Sequence, residues 1–351
     1  MPGASSIIID VRAGTRVLKK AFLFFIFISV CFSVTAEQAD KTSYNFSIGT
    51  SFGVLLGESE EIVFQDPYID DYKSQLLWQL KPMMYAGLDF HFGWELKESE
   101  SKVLARIFTD FFADVSLKFG IPGNSGLMED RDWLDYNFDQ LTHYSVHNNY
   151  LKNAVLSDIS IGKAFSIHNK IRIKPFISYS YMYLSWEASG GSLLYPKYQD
   201  PPYSGIWQDG HKYLESSDAV ISYEQKWHIL SPGISLYGEF NDLFNIELFF
   251  RISPLVWIIA VDNHILRNTV FTDYIFPNLY FEPSLLFTFR TGSLFSLSLS
   301  YAYRNISHGR GDTKTEEAGR EPTVSNNYAG AGYSVHSIGI TAKFIFQTNN
   351  R

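Results

Sequence analysis

The stretch His336-Ser337-Ile338-Gly339-Ile340-Thr341-Ala342-Lys343-Phe344-Ile345-Phe346 decides the fold. His336, Ile338, Ile340, Ala342, Phe344 and Phe346 share one face of an extended chain, and Ser337, Gly339, Thr341 and Lys343 share the other. Successive strand side chains point to opposite sides, so one face is greasy and the other small, polar or charged. The same two-residue period recurs upstream. Phe295, Leu297, Leu299, Tyr301 and Tyr303 alternate with Ser296, Ser298, Ser300, Ala302 and Arg304. Ile171, Ile173, Ile177, Tyr179, Tyr181 and Tyr183 alternate with Arg172, Lys174, Ser178 and Ser180, and Ile246, Leu248, Phe250 and Ile252 with Glu247, Arg251 and Ser253. These segments outrun the usual strand of about 5–6 residues, and Tyr and Phe recur on the apolar face. In a bilayer every backbone polar group must find an internal partner, so such strands close into a barrel.

Composition and connections agree with that reading. Aromatic residues make up 17% of the chain, with 29 Phe and 22 Tyr, as girdles at two membrane interfaces require. Short turns at His168-Asn169-Lys170, Asn241-Asp242 and 290–293 alternate with longer polar stretches at 57–71, 121–150, 193–217, 263–272 and 307–333. Short turns on one side and five long loops on the other predict a ten-stranded antiparallel transmembrane β-barrel of a bacterial outer membrane, with both termini periplasmic. Residues 1–36 read as a secretory signal peptide. Arg12, Arg16, Lys19 and Lys20 precede an apolar run from Ala21 to Val34, and Val34-Thr35-Ala36 supplies small residues for cleavage. Residues 37–351 are then one barrel domain. The single cysteine, Cys31, lies in the leader, which leaves no thiol chemistry to the mature chain. The net charge of −8 argues against a nucleic-acid partner.

A ten-stranded barrel is narrow and its lumen is expected to be filled by side chains, which moves function to the rim. Two rim constellations carry chemistry. In Met128-Glu129-Asp130-Arg131-Asp132-Trp133, the carboxylates of Asp130 and Asp132 project to the same side of an extended chain. Close carboxylates repel, which raises one pKa and makes a proton-accepting or water-binding pair; a solvated acidic loop or a weak calcium site has the same spacing. In Asp262-Asn263-His264, a carboxylate two residues from an imidazole can orient it as a general base, although an ordinary exposed pair has the same look. No serine sits in a nucleophile turn. No histidine pair at helical spacing suggests zinc, since His143 and His147 fall in a segment that reads as loop, and no metal or other cofactor is expected.

The two constellations resemble the M-x-D-x-D-W and D-x-H signatures of the omptins, a family of outer-membrane endopeptidases. Further likeness lies in Ser47-Ile48-Gly49-Thr50, Ser74-Gln75-Leu76-Leu77-Trp78, Ala188-Ser189-Gly190-Gly191-Ser192 and the closing segment from Ala329-Gly330 to Phe346, in the same order over essentially the whole mature chain. The resemblance implies proteolysis at the extracellular mouth. Asp262 would orient His264, His264 would take a proton from water, and Asp130 and Asp132 would hold that water. Glu61 would receive a basic side chain, with His143 as a further substrate contact. Cationic polypeptides are the implied substrates. The acidic residues Glu58, Glu60, Glu61, Asp66, Asp70 and Asp71 of the first loop, with Glu129, Asp130, Asp132, Asp135 and Asp139 of the second, would draw them in, or would simply be solvated.

Two departures stand out. Ala260 occupies a position at which omptins carry a second acid for the basic side chain, so strict dibasic cleavage is not expected. Tyr181 and Tyr183 stand where the family presents charged residues to lipopolysaccharide, and Lys226 alone keeps a basic position, so dependence on that lipid is not expected either. The partners are then outer-membrane lipid and polypeptide, and a monomer is the expected state. A binding or adhesion barrel with little activity, and a small pore, are the alternatives.

Overall fold

A computed structural model describes residues 42–96, 109–135, 140–197, 203 and 210–348. The signal-peptide reading of 1–36 lies outside these residues. Nearly all of them belong to one compact unit, 44–94 and 110–348; the other, 1–43, 95–109 and 349–351, lies almost wholly outside the description.

The chain forms β1 (Thr42–Phe64), β2 (Tyr72–Leu96), β3 (Phe111–Gly120), β4 (Gly123–Asp132), β5 (His143–Lys163), β6 (Phe165–His168), β7 (Ile171–Tyr195), β8 (Gly210–Glu239), β9 (Phe244–Ser253), β10 (Val256–His264), β11 (Thr269–Ile275), β12 (Tyr280–Arg290), β13 (Phe295–Glu317) and β14 (Thr323–Thr348). They make ten walls. Four walls are broken in two: β3 with β4, β5 with β6, β9 with β10, and β11 with β12. The β5–β6 break is the single residue Ala164, and the other three each contain a proline, Pro122, Pro254 or Pro277, which has no N–H to give to the ladder. The walls pair in chain order around a ring. The ring closes where β14 returns antiparallel to β1, from Tyr44↔Thr348 to Val63↔Ala329. At this seam Gly53 faces Gly339, and a Cβ on either would collide with the Tyr85 hydroxyl lying across the lumen side.

The outer surface shows where the lipid lies. Phe52, Leu88, Ile177, Leu248, Leu299 and Ile340 are exposed on it. Below them is an aromatic girdle that includes the stacked pairs Trp94–Phe111 and Phe46–Phe346. Above them a second girdle holds Trp257 stacked on Phe276, Tyr179 and Tyr181 against His228, and Tyr301 and Tyr303 against His336. On β14 the two levels, His336 and Phe346, are separated by about 10 residues, the length a tilted strand needs to cross a bilayer. Higher still, the outer face changes to ion pairs: Lys81–Glu58, Arg131–Glu129, Lys152–Glu187 and Lys314–Glu316.

Much of the long polar stretches is therefore strand rather than loop. The ladder continues above the membrane through most of 57–64, 123–132, 143–150, 307–317 and 323–333. Polar outer residues had suggested loops, but a strand wall standing in water also carries polar residues on its outer face. Asp130, Asp132, His143 and Glu61 consequently sit on strands.

The lumen is occupied, as expected. Trp78, Trp186 and Tyr223 stack on one another with centroids 5.1–6.0 Å apart, and Trp227 packs on Tyr333. This apolar layer spans the extracellular part of the barrel. Beneath it Arg251 binds both Asp158, at 2.5 Å, and Glu282, while Glu282 also accepts from Arg304 and, at 2.9 Å, from the Tyr280 hydroxyl. A cavity of about 250 Å³ remains beside this network. Replacing Glu282 with Ala strands two buried guanidiniums and is expected to cost about 3–5 kcal/mol. Urea unfolding of the refolded barrel in lipid measures this loss; a loss under ~1 kcal/mol would show that the network is not buried as described.

Candidate active site

Two walls face each other across the mouth. On β10, the inward phase brings Ala260 and Asp262 to the lumen side, and His264 ends the strand. His264 Nε2 lies 2.5 Å from Asp262 Oδ2. The Phe271 ring meets the imidazole edge-on at 5.4 Å, from the strand that pairs with Asp262. Asp262 is 2% exposed, and its second oxygen, Oδ1, has no hydrogen-bond partner. The couple expected from sequence is thus formed, with a fixed imidazole and one open carboxylate oxygen.

On β4, Asp130 and Asp132 point inward two residues apart. The ladder places Ser74 of β2 and His143 of β5 on either side of Asp132. Ser74 favours the charged form of both carboxyls. Burial holds the Asp130 carboxyl well above the ordinary carboxylate range, and the charges of Asp132 and Asp262 add to that, against the pull of Arg267. Asp132 is raised as well, chiefly by burial, but less is needed of it because Ser74, His143, Arg267 and His264 favour its charged form. The pair thus retains a proton at a pH where free carboxylates have lost theirs. Asp130 Oδ1 also has no hydrogen-bond partner.

The two histidines separate clearly. His143 stands edge-on to Tyr195 and Tyr203 at 4.7 and 4.9 Å and meets Thr142 through Nδ1 at 2.9 Å. Burial lowers its pKa, although Asp132 works in the opposite direction. His147 is 1% exposed and spent on structure: one ring nitrogen binds the Gly190 carbonyl at 2.5 Å and the other the Ser145 hydroxyl at 2.8 Å. His143 is the one whose electrostatic neighbours include Asp132.

Glu61 points inward from β1. It is 3% exposed, and its Oε2 has no hydrogen-bond partner. Burial raises its pKa well above the usual value, and the acids Asp262, Asp273 and Asp130 raise it further. Glu61, Asp130, Asp132, Asp262 and His264 thus form one electrostatic cluster. Among the described residues, no group of His, Cys, Asp or Glu has the arrangement of a metal site.

Sequence reasoning missed several members. Arg267, in the short 3₁₀ turn Ile265–Arg267 after His264, brings a positive charge to the aspartate pair. Tyr195 borders the same pair, and its hydroxyl is pushed up to about 12 by burial and by Asp130 and Asp132. Asp273 and Tyr223 approach Glu61. None belongs to a short motif; each is set beside the site by strand pairing. On the outer wall, Lys226 is engaged by Glu224 at 3.5 Å and by the ring of Tyr183 at 5.6 Å.

Comparison with known proteins agrees with the fold. The chain is 25% identical over 303 residues to the plasminogen activator of Yersinia pestis, covering 85% of this chain and 88% of that protein. Its fold matches the crystal structure of the outer membrane protease OmpT from Escherichia coli, with a TM-score of 0.73 at 19% identity, over 87% of this chain and 97% of that one. The profile of the Omptin family matches residues 42–346. The chain therefore belongs to the omptin family and is an outer-membrane β-barrel whose candidate site opens on the extracellular side.

Proposed function

We propose that this omptin is an endopeptidase that cleaves polypeptides by direct attack of a water held between Asp130–Asp132 and Asp262–His264. One observation carries the reading. The buried Asp262, 2.5 Å from His264, shares an electrostatic cluster with the Asp130–Asp132 pair, in which Asp130 Oδ1 has no hydrogen-bond partner.

The chemistry follows from the protonation states. His264, oriented by Asp262, accepts the proton of the attacking water. The aspartate pair, which shares a proton, can both hold water through its charged oxygen and donate to the oxygen of the carbonyl under attack. Two fully charged carboxylates would repel a developing oxyanion, and the shared proton removes that repulsion. Arg267 adds a favourable field at the same place. The absence of a serine or cysteine candidate in the motif pattern leaves water as the nucleophile. The acidic cluster favours cationic peptides, and the occupied lumen speaks against a pore. The paired state of Lys226 supports activity without lipopolysaccharide.

Three outcomes are expected. Refolded protein cleaves basic peptides, and Asp130→Ala, Asp262→Ala and His264→Ala each lower kcat/KM by about 10²–10⁴-fold, the usual contribution of positioned acid–base groups. Silence of the wild-type protein across a basic-peptide library, with and without lipopolysaccharide, would sink the proposal. Second, kcat/KM with and without lipopolysaccharide agrees within about threefold, a difference of under ~1 kcal/mol; a hundredfold stimulation would contradict the reading of the outer wall. The third concerns pH. A carboxyl whose folded pKa lies above its unfolded value penalises folding once pH exceeds the unfolded value, and the penalty grows until the folded pKa is passed. Asp130→Asn is therefore expected to raise the thermal midpoint of the barrel at pH 8 and to leave it unchanged near pH 3. Equal midpoints for both proteins at both pH values would remove the raised Asp130 from the mechanism.

A further inference from the structure

The Ala260 departure is offset from the next strand. In the β10–β11 ladder Ala260 is directly opposite Asp273. Directly opposed residues of an antiparallel pair project to the same face with Cβ atoms about 4.5–5.5 Å apart. Both are buried on the lumen side, Ala260 at 1% exposure and Asp273 at 4%, whereas the next residue, Tyr274, faces outward. An Asp at 273 therefore puts a carboxylate into the space that the small side chain of Ala260 leaves open.

The surroundings of that carboxylate form a pocket floor. Ladder pairing puts Gln225, Ala260, Asp273 and Thr313 on one level, and Tyr223, Asp262 and Phe271 on the level above. The Thr313 hydroxyl donates to Asp273 Oδ1 at 2.7 Å. Gln225 is fixed by bonds to Tyr223, Ser59 and the Glu60 carbonyl. The remaining boundary is Glu61, whose unpartnered Oε2 is buried in the same cluster. Its charged neighbours are all acids, and among the described residues neither Glu61 nor Asp273 forms an ion pair. Asp273, held by the Thr313 hydroxyl one strand level below Asp262, and the unpartnered Glu61 are two buried acids that lack only a cation.

We infer that Asp273 is a specificity-determining residue that, with Glu61, forms a subsite for the guanidinium of an arginine side chain beside the bond to be cut. This inference rests on the endopeptidase reading for its place in a reaction, but the site itself can be tested without turnover. Arginine is favoured over lysine because its planar head offers five donors, enough to serve two carboxylates from separate walls at once. The acid absent at position 260 is supplied from across the strand pair.

The test compares peptides that differ only by arginine or citrulline, its neutral isostere, at the candidate position. Folding of each variant is checked by heat-modifiable gel mobility. Wild-type protein prefers the arginine peptide in kcat/KM; Asp273→Asn lowers that arginine-to-citrulline ratio at least tenfold, and the double exchange Ala260→Asp with Asp273→Ala recovers it. An unchanged ratio in folded Asp273→Asn overturns the inference. The same pair of peptides is then titrated calorimetrically into His264→Ala, which binds without cutting. A tenfold preference for arginine that Asp273→Asn abolishes supports the subsite even if the wild-type protein cleaves nothing, in which case the protease reading alone fails. Equal binding of both peptides overturns the subsite.

Discussion

The structure depends on one constraint: no backbone amide may be left unpaired inside the bilayer. For strands this condition is met only by closure, and the pairing of β14 with β1 along nearly the whole length of both strands is where it is met. The Gly53–Gly339 pair at the seam shows its local demand, since Tyr85 can cross there only because neither position carries a Cβ. Closure also fixes which residues look inward. Once the seam is set, the two-residue period assigns every other side chain of ten walls to lipid or to lumen.

That assignment explains how a membrane scaffold can hold a water-dependent site. The walls do not stop at the upper aromatic girdle; they rise into the external medium, and there their inward face turns from the Arg251–Glu282–Arg304 network to a layer of Trp78, Trp186 and Tyr223. The aromatic layer gives the mouth a dry floor. Above it, acids on four strands (Glu61, Asp130 and Asp132, Asp262, Asp273) are held close enough to disturb one another's ionisation. Burial and the neighbouring Asp262 push the Asp273 carboxyl up to about 7, even though Thr313 favours its charged form. Such a cluster is unfavourable for folding alone. The stiffness of a closed barrel is what holds it, and a cationic ligand is what would relieve it.

Much of this was legible in the chain. The alternation from His336 to Phe346 identifies a lipid-facing strand without further help, and the D-x-D and D-x-H spacings place each pair on one face of an extended segment. Loop boundaries were less legible. Residues such as 57–64 and 123–132 are polar outward because they stand in water, and polarity does not distinguish a hydrated strand from a loop. Asp273 and Arg267 were illegible for a different reason. Their meaning comes from register: Asp273 matters because Ala260 is opposite it, and a single sequence does not state which residues oppose each other across a turn. Ala260, read alone, suggested a lost carboxylate; with its cross-strand partner it marks a relocated one.

Direct attack by water is the central claim, and trapping with an added nucleophile tests it most directly. Cleavage of an arginine peptide in a high concentration of hydroxylamine, followed by mass spectrometry of the new C-terminus, separates the possibilities. Attack by water alone gives only the free carboxylic acid, with no enzyme-bound acyl species at any time. A hydroxamate product, or a covalent adduct on the barrel, would contradict it.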